Sequence, residues 1–155
     1  MKTVLILIAL SLSLFAETSE SLIRRLESYR SVRYTDLNGS PVVGYGTTKG
    51  RLVARTSVTH AEALRQLRAD IRRCEETVDE AVLVPLTPNQ RAALTSFVYN
   101  VGRSAFLGST LLTKLNRGFY REVPAEMRRW IKCNGRPCDG LRNRREEEIL
   151  LWNAK

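Results

Sequence analysis

Between Thr87 and Gly102 the chain carries a helix signal with almost no polar face. Thr87, Pro88 and Gln90 supply a cap, a first-turn proline and a capping-box glutamine in succession. Ala92, Ala93, Leu94, Phe97, Val98 and Val101 then spread apolar surface around the cylinder, and Gly102 ends it. A helix apolar on all sides is not stable on a surface, so the other elements must wrap around it. Asn100 is the polar exception, and once buried it needs partners of its own.

What precedes this central helix has two periodicities. Leu22, Leu26 and Tyr29 recur at helical spacing and predict a first helix from about Ser19 to Ser31. The pattern then changes to strand chemistry: Arg33 to Leu37 turns at Asn38-Gly39 into Val42 to Gly46, a strong short-range hairpin signal. Thr59 and Glu62 form a capping box, after which Leu64, Leu67, Ile71, Cys74 and Val78 predict one long helix to about Val82. Beyond the central helix, Ser109 to Gly118 reads as a short helix closed by glycine. Pro124 to Lys132 reads as another, containing Trp130. No Gly, Ser or Pro-rich linker interrupts the 155 residues, which suits one domain of α+β class.

Lys and Arg number 25 against 16 Asp and Glu, a net charge of +9, and an excess of this size favours an anionic partner. Nucleic acid, a membrane surface and an acidic cell wall all qualify. Most of the cations are arginines spread along helical segments, among them Arg24, Arg65, Arg72, Arg128, Arg144 and Arg145, and a solvated face accounts for them equally well. Met1-Lys2, the apolar run Val4 to Ala16 and the polar Glu17-Thr18-Ser19 have the layout of an export signal, with cleavage after Ala16. The run is shorter than the roughly 20 residues of a spanning helix. Residues 1–16 are therefore read as an export signal or a segment that rests in the membrane before release, and 17–155 as the single domain. Cys133 and Cys138 enclose Asn-Gly-Arg-Pro, and a small-loop disulfide is expected there if the chain leaves the cytosol. Cys74 then reads as a buried thiol. With His60 the only histidine, no metal site is expected.

The chemistry lies at the helix-to-hairpin junction. Glu27 and Asp36 flank it, and two carboxylates in unlike environments are what glycosidic cleavage requires: one protonated to expel the leaving oxygen, one ionised to guide water or steady positive charge on the sugar. Eight residues separate Glu27 from Asp36, five more lead to Val42, and Val43-Gly44-Tyr45-Gly46 follows. Together with Ala93 to Gly102 and Gly140-Leu141-Arg142-Asn143-Arg144-Arg145-Glu146-Glu147-Glu148, this pattern resembles the phage-type lysozymes of glycoside hydrolase family 24 from about Glu20 onward. Val42 stands where that family has a threonine that holds water, Ser28 where it has glycine, and Thr47 where many members have histidine.

The resemblance implies a small β-hairpin lobe joined by a long helix to a helical lobe. It implies Glu27 as general acid, Asp36 as its ionised companion, Asn100 facing the saccharide, and Arg144, with Arg145 as the alternative, holding Glu27. With valine at 42, the water is then held by Asp36 with backbone groups or with another side chain, Thr47 or Ser40. The implied substrate is the bond between N-acetylmuramic acid and N-acetylglucosamine in peptidoglycan. The enzyme is expected to be an exported, periplasmic or extracellular monomer without cofactor or nucleic acid. Transient tethering to the inner membrane is compatible with this.

Three other readings compete. A basic nucleic-acid-binding module explains the charge but not the acid pair. A non-catalytic cell-wall-binding protein of the same fold is motivated by Val42. Membrane disruption by the arginine-rich C-terminal helix is the third.

Overall fold

A computed structural model describes residues 17–36 and 39–155. The expected export segment at 1–16, and Leu37 and Asn38 of the expected turn, lie outside the described residues. The elements run α1 (Ser19–Glu27), β1 (Arg30–Thr35), β2 (Pro41–Gly44), α2 (His60–Ala81), α3 (Pro88–Val101), α4 (Arg103–Leu107), α5 (Thr110–Asn116), α6 (Val123–Met127), β3 (Lys132–Cys133), β4 (Arg136–Pro137) and α7 (Asp139–Asn153). A 3-10 turn at Tyr120–Glu122 leads into α6. Both two-stranded sheets are antiparallel.

α1 is shorter than its periodicity suggests. Ser28 takes a left-handed φ of +56°, which ends the helix at Glu27, and Arg30 already pairs with Gly44 across the sheet. Tyr29 therefore belongs to the hairpin side. There its hydroxyl donates to the Val58 carbonyl at 2.9 Å. β1 starts earlier than expected, where residues 56–58 add a further rung through Arg33 N–H to Thr56 and Val58 N–H to Ser31, and β2 stops at Gly44, where Val43 and Thr47 bond each other's backbone across a tight turn.

α2 and α3 match their sequence signals closely, each opened by a complete capping box at Thr59–Glu62 and Thr87–Gln90. The expected helix from Pro124 to Lys132 is cut to Val123–Met127. Lys132 and Cys133 instead pair with Arg136 and Pro137, and this small hairpin is stapled by the Cys133–Cys138 disulfide. α4 has no periodic signal, being only five residues long.

Two apolar cores result. The larger surrounds α3 and gathers Leu94, Phe97, Phe106, Leu111, Met127 and Trp152; the smaller joins Ile23, Val43, Tyr45, Val58, Leu67 and Ile71. α2 contributes Leu67 and Ile71 to the second and Val78 to the first, while α1 contributes Ile23 and Leu22 in the same way. Both helices thus cross the seam between lobes. Burying each side chain of this size stabilises the fold by about 1.5–3 kcal/mol, which is why α2 packs along the seam.

Candidate active site

Glu27 is the last residue of α1, so the break at Ser28 sets its carboxylate at the lobe seam, with its side chain 20% exposed. Nη1 of Arg144 lies 2.5 Å from Glu27 Oε1. That guanidinium is itself anchored from behind. Nε donates to Glu148 Oε1 at 3.1 Å, and Nη2 donates to the Ser96 carbonyl and hydroxyl at 3.3 Å each. Ser96 Oγ donates to the same Glu148 oxygen at 2.8 Å, and Glu148 is fully buried.

Arg145 takes a different direction. Its Nη2 donates to Asn100 Oδ1 at 2.8 Å and to Glu148 Oε1 at 3.3 Å, and its guanidinium lies over the Phe97 ring at 4.8 Å from the centroid. Nε and Glu148 Oε2 are 2.9 Å apart but not aligned as a hydrogen bond. Burial lowers the Arg145 guanidinium to about 10 and pushes the Glu148 carboxyl up, the latter opposed by both arginines and by Ser96. Arg144 and Arg145 are accordingly not members of a solvated face. Most of their fellow helical arginines are, and they are tied into ion pairs such as Arg25–Glu147 and Arg128–Glu146.

The other wall of Glu27 is backbone. A Cβ on Gly46 would come within 2.7 Å of Glu27 Oε2, and Gly46 has a φ of +79°, so only glycine fits beside the carboxylate. Tyr99 donates from its hydroxyl to the Tyr45 carbonyl at 2.6 Å, fixing this loop to α3. Burial first, then the charge of Glu27, holds the Tyr99 phenol above its ordinary range.

Asp36 sits at the hairpin turn. Its Oδ1 accepts from the Ser40 amide at 2.8 Å, its own amide donates to the Ser40 carbonyl at 2.9 Å, and its carbonyl accepts from Gly39 at 3.1 Å. It lines a cleft of about 760 Å³ together with Asn100, Thr110, Arg129, Trp130 and Lys132. Glu27 is not among the residues lining that cleft. A second cavity of about 720 Å³ is lined by Gly46, Thr47, Asp70, Tyr99 and Arg103. The end of α3 divides the two: Tyr99 faces one cavity, Asn100 and Val101 the other, and Gly102 and Arg103 the first again.

The two cavities thus open on either side of the end of α3. Glu27 stands at the divide. It touches Gly46 of one cavity and reaches Asn100 of the other through Arg144, Glu148 and Arg145. Of the two hydroxyls weighed for holding water, Thr47 is buried and lines the cavity away from Asp36, while Ser40 meets Asp36 through its backbone. Val42 is buried in β2 opposite Tyr34. Cys74 lines the second cavity, and burial, with the nearby Asp70 charge, pushes its thiol up to about 11.

Sequence reasoning missed Ser96 and underused Glu148. Ser96 looks like a small filler on an apolar helix, and Glu148 looks like a surface partner for an i, i−4 arginine. Their signal was the conflict between a polar residue and an apolar helix face. Trp130 and Lys132 had no signal tying them to a cleft, since only the β3–β4 hairpin brings them there.

A family model described as phage lysozyme matches residues 24–148. A SAR-endolysin of Escherichia phage Mu is 40% identical over 138 residues, covering 89% of this chain and 80% of the relative. An endolysin of Salmonella phage P22 is 35% identical over 133 residues, covering 83% of this chain and 91% of the relative. Among solved structures, the muramidase domain of SpmX from Asticaccaulis excentricus superposes with a TM-score of 0.78 at 33% identity, covering 88% of this chain and 95% of that one.

Proposed function

The chain belongs to the phage lysozyme family and is a peptidoglycan hydrolase, and from that premise we propose that it cuts between N-acetylmuramic acid and N-acetylglucosamine with Glu27 as proton donor and Asp36 as the ionised partner. One observation carries the assignment: the Glu27 carboxylate is partly open to solvent, yet gripped by a buried guanidinium that α7 holds in place.

In the reaction, Glu27 gives its proton to the glycosidic oxygen and the bond from that oxygen to the sugar carbon breaks. Positive charge develops on the ring, Asp36 faces it across the cleft, and water adds to the carbon while Asp36 takes its proton, which solvent exchange then returns to Glu27. The carboxylate left on Glu27 is then stabilised by Arg144, whose charge-assisted bond is strongest at that moment. Asn100 and Trp130 supply a polar and an aromatic surface for the sugars in the Asp36 cleft. The glycan runs past the end of α3, so that neighbouring sugars reach the Gly46 and Tyr99 side.

The relative named SAR-endolysin supports an exported enzyme, with residues 1–16 directing it across the inner membrane and holding it there transiently. A single chain suffices, and nucleic acid has no part. The test is release of reducing ends from purified peptidoglycan by the wild type, Glu27→Gln and Asp36→Asn. Both variants should lose at least about 10²-fold in kcat, and wild-type rates in either would remove that residue's assignment.

A further inference from the structure

Glu148 is buried completely at the interface of α3 and α7, and the reaction just described gives it nothing to do. Its oxygens are used unevenly. Oε1 accepts from Ser96, Arg144 and Arg145 at 2.8, 3.1 and 3.3 Å, whereas Oε2 has no aligned donor. Oε2 instead lies 2.9 Å from Arg145 Nε without hydrogen-bond alignment. Here the better-used oxygen is the one that fixes Arg144, the residue gripping Glu27.

Charge counting shows why this matters. A lone guanidinium 2.5 Å from Glu27 would favour its ionised form and disarm a proton donor. The cluster instead contains Arg144 and Arg145 against Glu148 and Glu27. With Glu27 protonated the sum is one positive charge, and proton donation brings it to neutral. Without Glu148 the same step would start from two positive charges, and Glu27 would be held more firmly as the anion. The other groups around Glu27 do not replace this effect. Tyr99 of α3 is a neutral phenol, Asp70 of α2 acts on that phenol, and Arg24 of α1 lies over the Tyr45 ring at 5.9 Å.

We propose that Glu148 is a positioning residue for hydrolysis: it orients the Arg144 guanidinium against Glu27 and offsets its positive charge, so that Glu27 can carry the proton it donates. The inference rests on Glu27 being the donor.

The test is the pH dependence of kcat and KM at fixed ionic strength, read as reducing ends released from purified peptidoglycan. Glu148→Gln keeps the shape and removes the charge. It should lower kcat about tenfold with KM nearly unchanged, and move the alkaline limb to lower pH by about one unit. Glu148→Asp restores the charge and should return the limb to its wild-type position at a reduced kcat. A folded Glu148→Gln whose limb stays in place overturns the proposal, whatever its kcat. Should Glu148→Gln fail to fold, Arg145→Gln decides: removing one of the two positive charges should move the alkaline limb to higher pH, and a limb that stays in place overturns the proposal. Glu27→Gln run in parallel separates the two ideas, because wild-type activity there defeats the donor assignment itself.

Discussion

The two acids sit in different settings, and the contrast follows the two lobes. Asp36 belongs to the hairpin lobe and is fixed by backbone groups of its own turn, Ser40 and Gly39. Glu27 lies at the seam and is fixed by side chains from the helical lobe, which arrive 117 residues later in the chain. The helical lobe has the larger core, and the Phe97 ring of that core lies under the Arg145 guanidinium. Burying charge is costly; the mutual attraction of Arg144, Arg145 and Glu148 offsets part of that cost, and a large apolar core tolerates the rest. The small hairpin core has no such reserve, and the turn's own backbone helps to place its half-buried carboxylate. Size of core therefore decides which lobe carries the buried machinery.

The strongest way to break this contrast is to damage each core. Phe97 is fully buried and meets Phe106 and Trp130 edge-on, with Arg145 over its face. Phe97→Ala should lose about 3–5 kcal/mol in urea unfolding. Val43→Ala in the hairpin core should lose only about 2 kcal/mol. Hydrogen exchange should likewise protect α3 and α7 above β1 and β2, and equal protection would refute an unequal partition of stability.

Next in size is Gly46→Ala. The new methyl would meet Glu27 Oε2 at 2.7 Å from a backbone at φ +79°, so the carboxylate must move. Displacement of a reacting group by about 1 Å typically costs about 10²-fold in kcat. Unfolding should be affected less than after Phe97→Ala. A variant with wild-type kcat would mean that the loop yields in place of Glu27, making the seam softer than the helical side.

The division between lobes also explains what the sequence made legible. Capping boxes at Thr59 and Thr87 and the apolar run from Ala92 to Val101 are local signals, and the helices they predict are the ones found. The end of α1 was misplaced because Ser28 ends it through a left-handed conformation that no serine advertises. The helix expected through Trp130 gave way to a disulfide-stapled hairpin, a long-range constraint that periodicity does not register. At the site, Glu27 and Asp36 have local spacing and could be named. The separate directions of Arg144 and Arg145, and the burial of Glu148, depend on how α7 docks against α3, which local spacing does not contain.

Acid sensitivity sharpens the comparison further, because each lobe holds one glutamate far below its ordinary range. Glu126, 5% exposed in the helical lobe, is lowered to about 2 by Lys114 at 2.6 Å, then by Thr110 and Arg129. Glu62, at the start of α2, is lowered to about 2 by the Thr59 amide, then by Arg55 and the Thr59 hydroxyl. Both folded values are depressed, so each contribution is present above the ordinary value of 4.5 and is lost as pH falls through about 2. Glu126→Gln should cost on the order of 2 kcal/mol at neutral pH and flatten the stability profile between pH 4.5 and 2. An unchanged profile would show that Lys114 and Arg129 fix the helical lobe without drawing on the Glu126 charge.

The smallest effect should come from Val42→Thr, where the two lobes' demands conflict. Val42 is 4% exposed, facing a partner across the hairpin at Tyr34, and a hydroxyl placed there must find an acceptor or remain unpaired. Stability should fall by about 1 kcal/mol, since valine and threonine match in shape but not in polarity. Activity should move the other way. A hydroxyl beside the Asp36 turn offers the water one further hydrogen bond, a gain of about 1 kcal/mol or roughly fivefold in kcat. A variant that is less stable and no faster would show that water is already positioned by the turn itself, and that the hairpin lobe carries valine at 42 without cost to the chemistry.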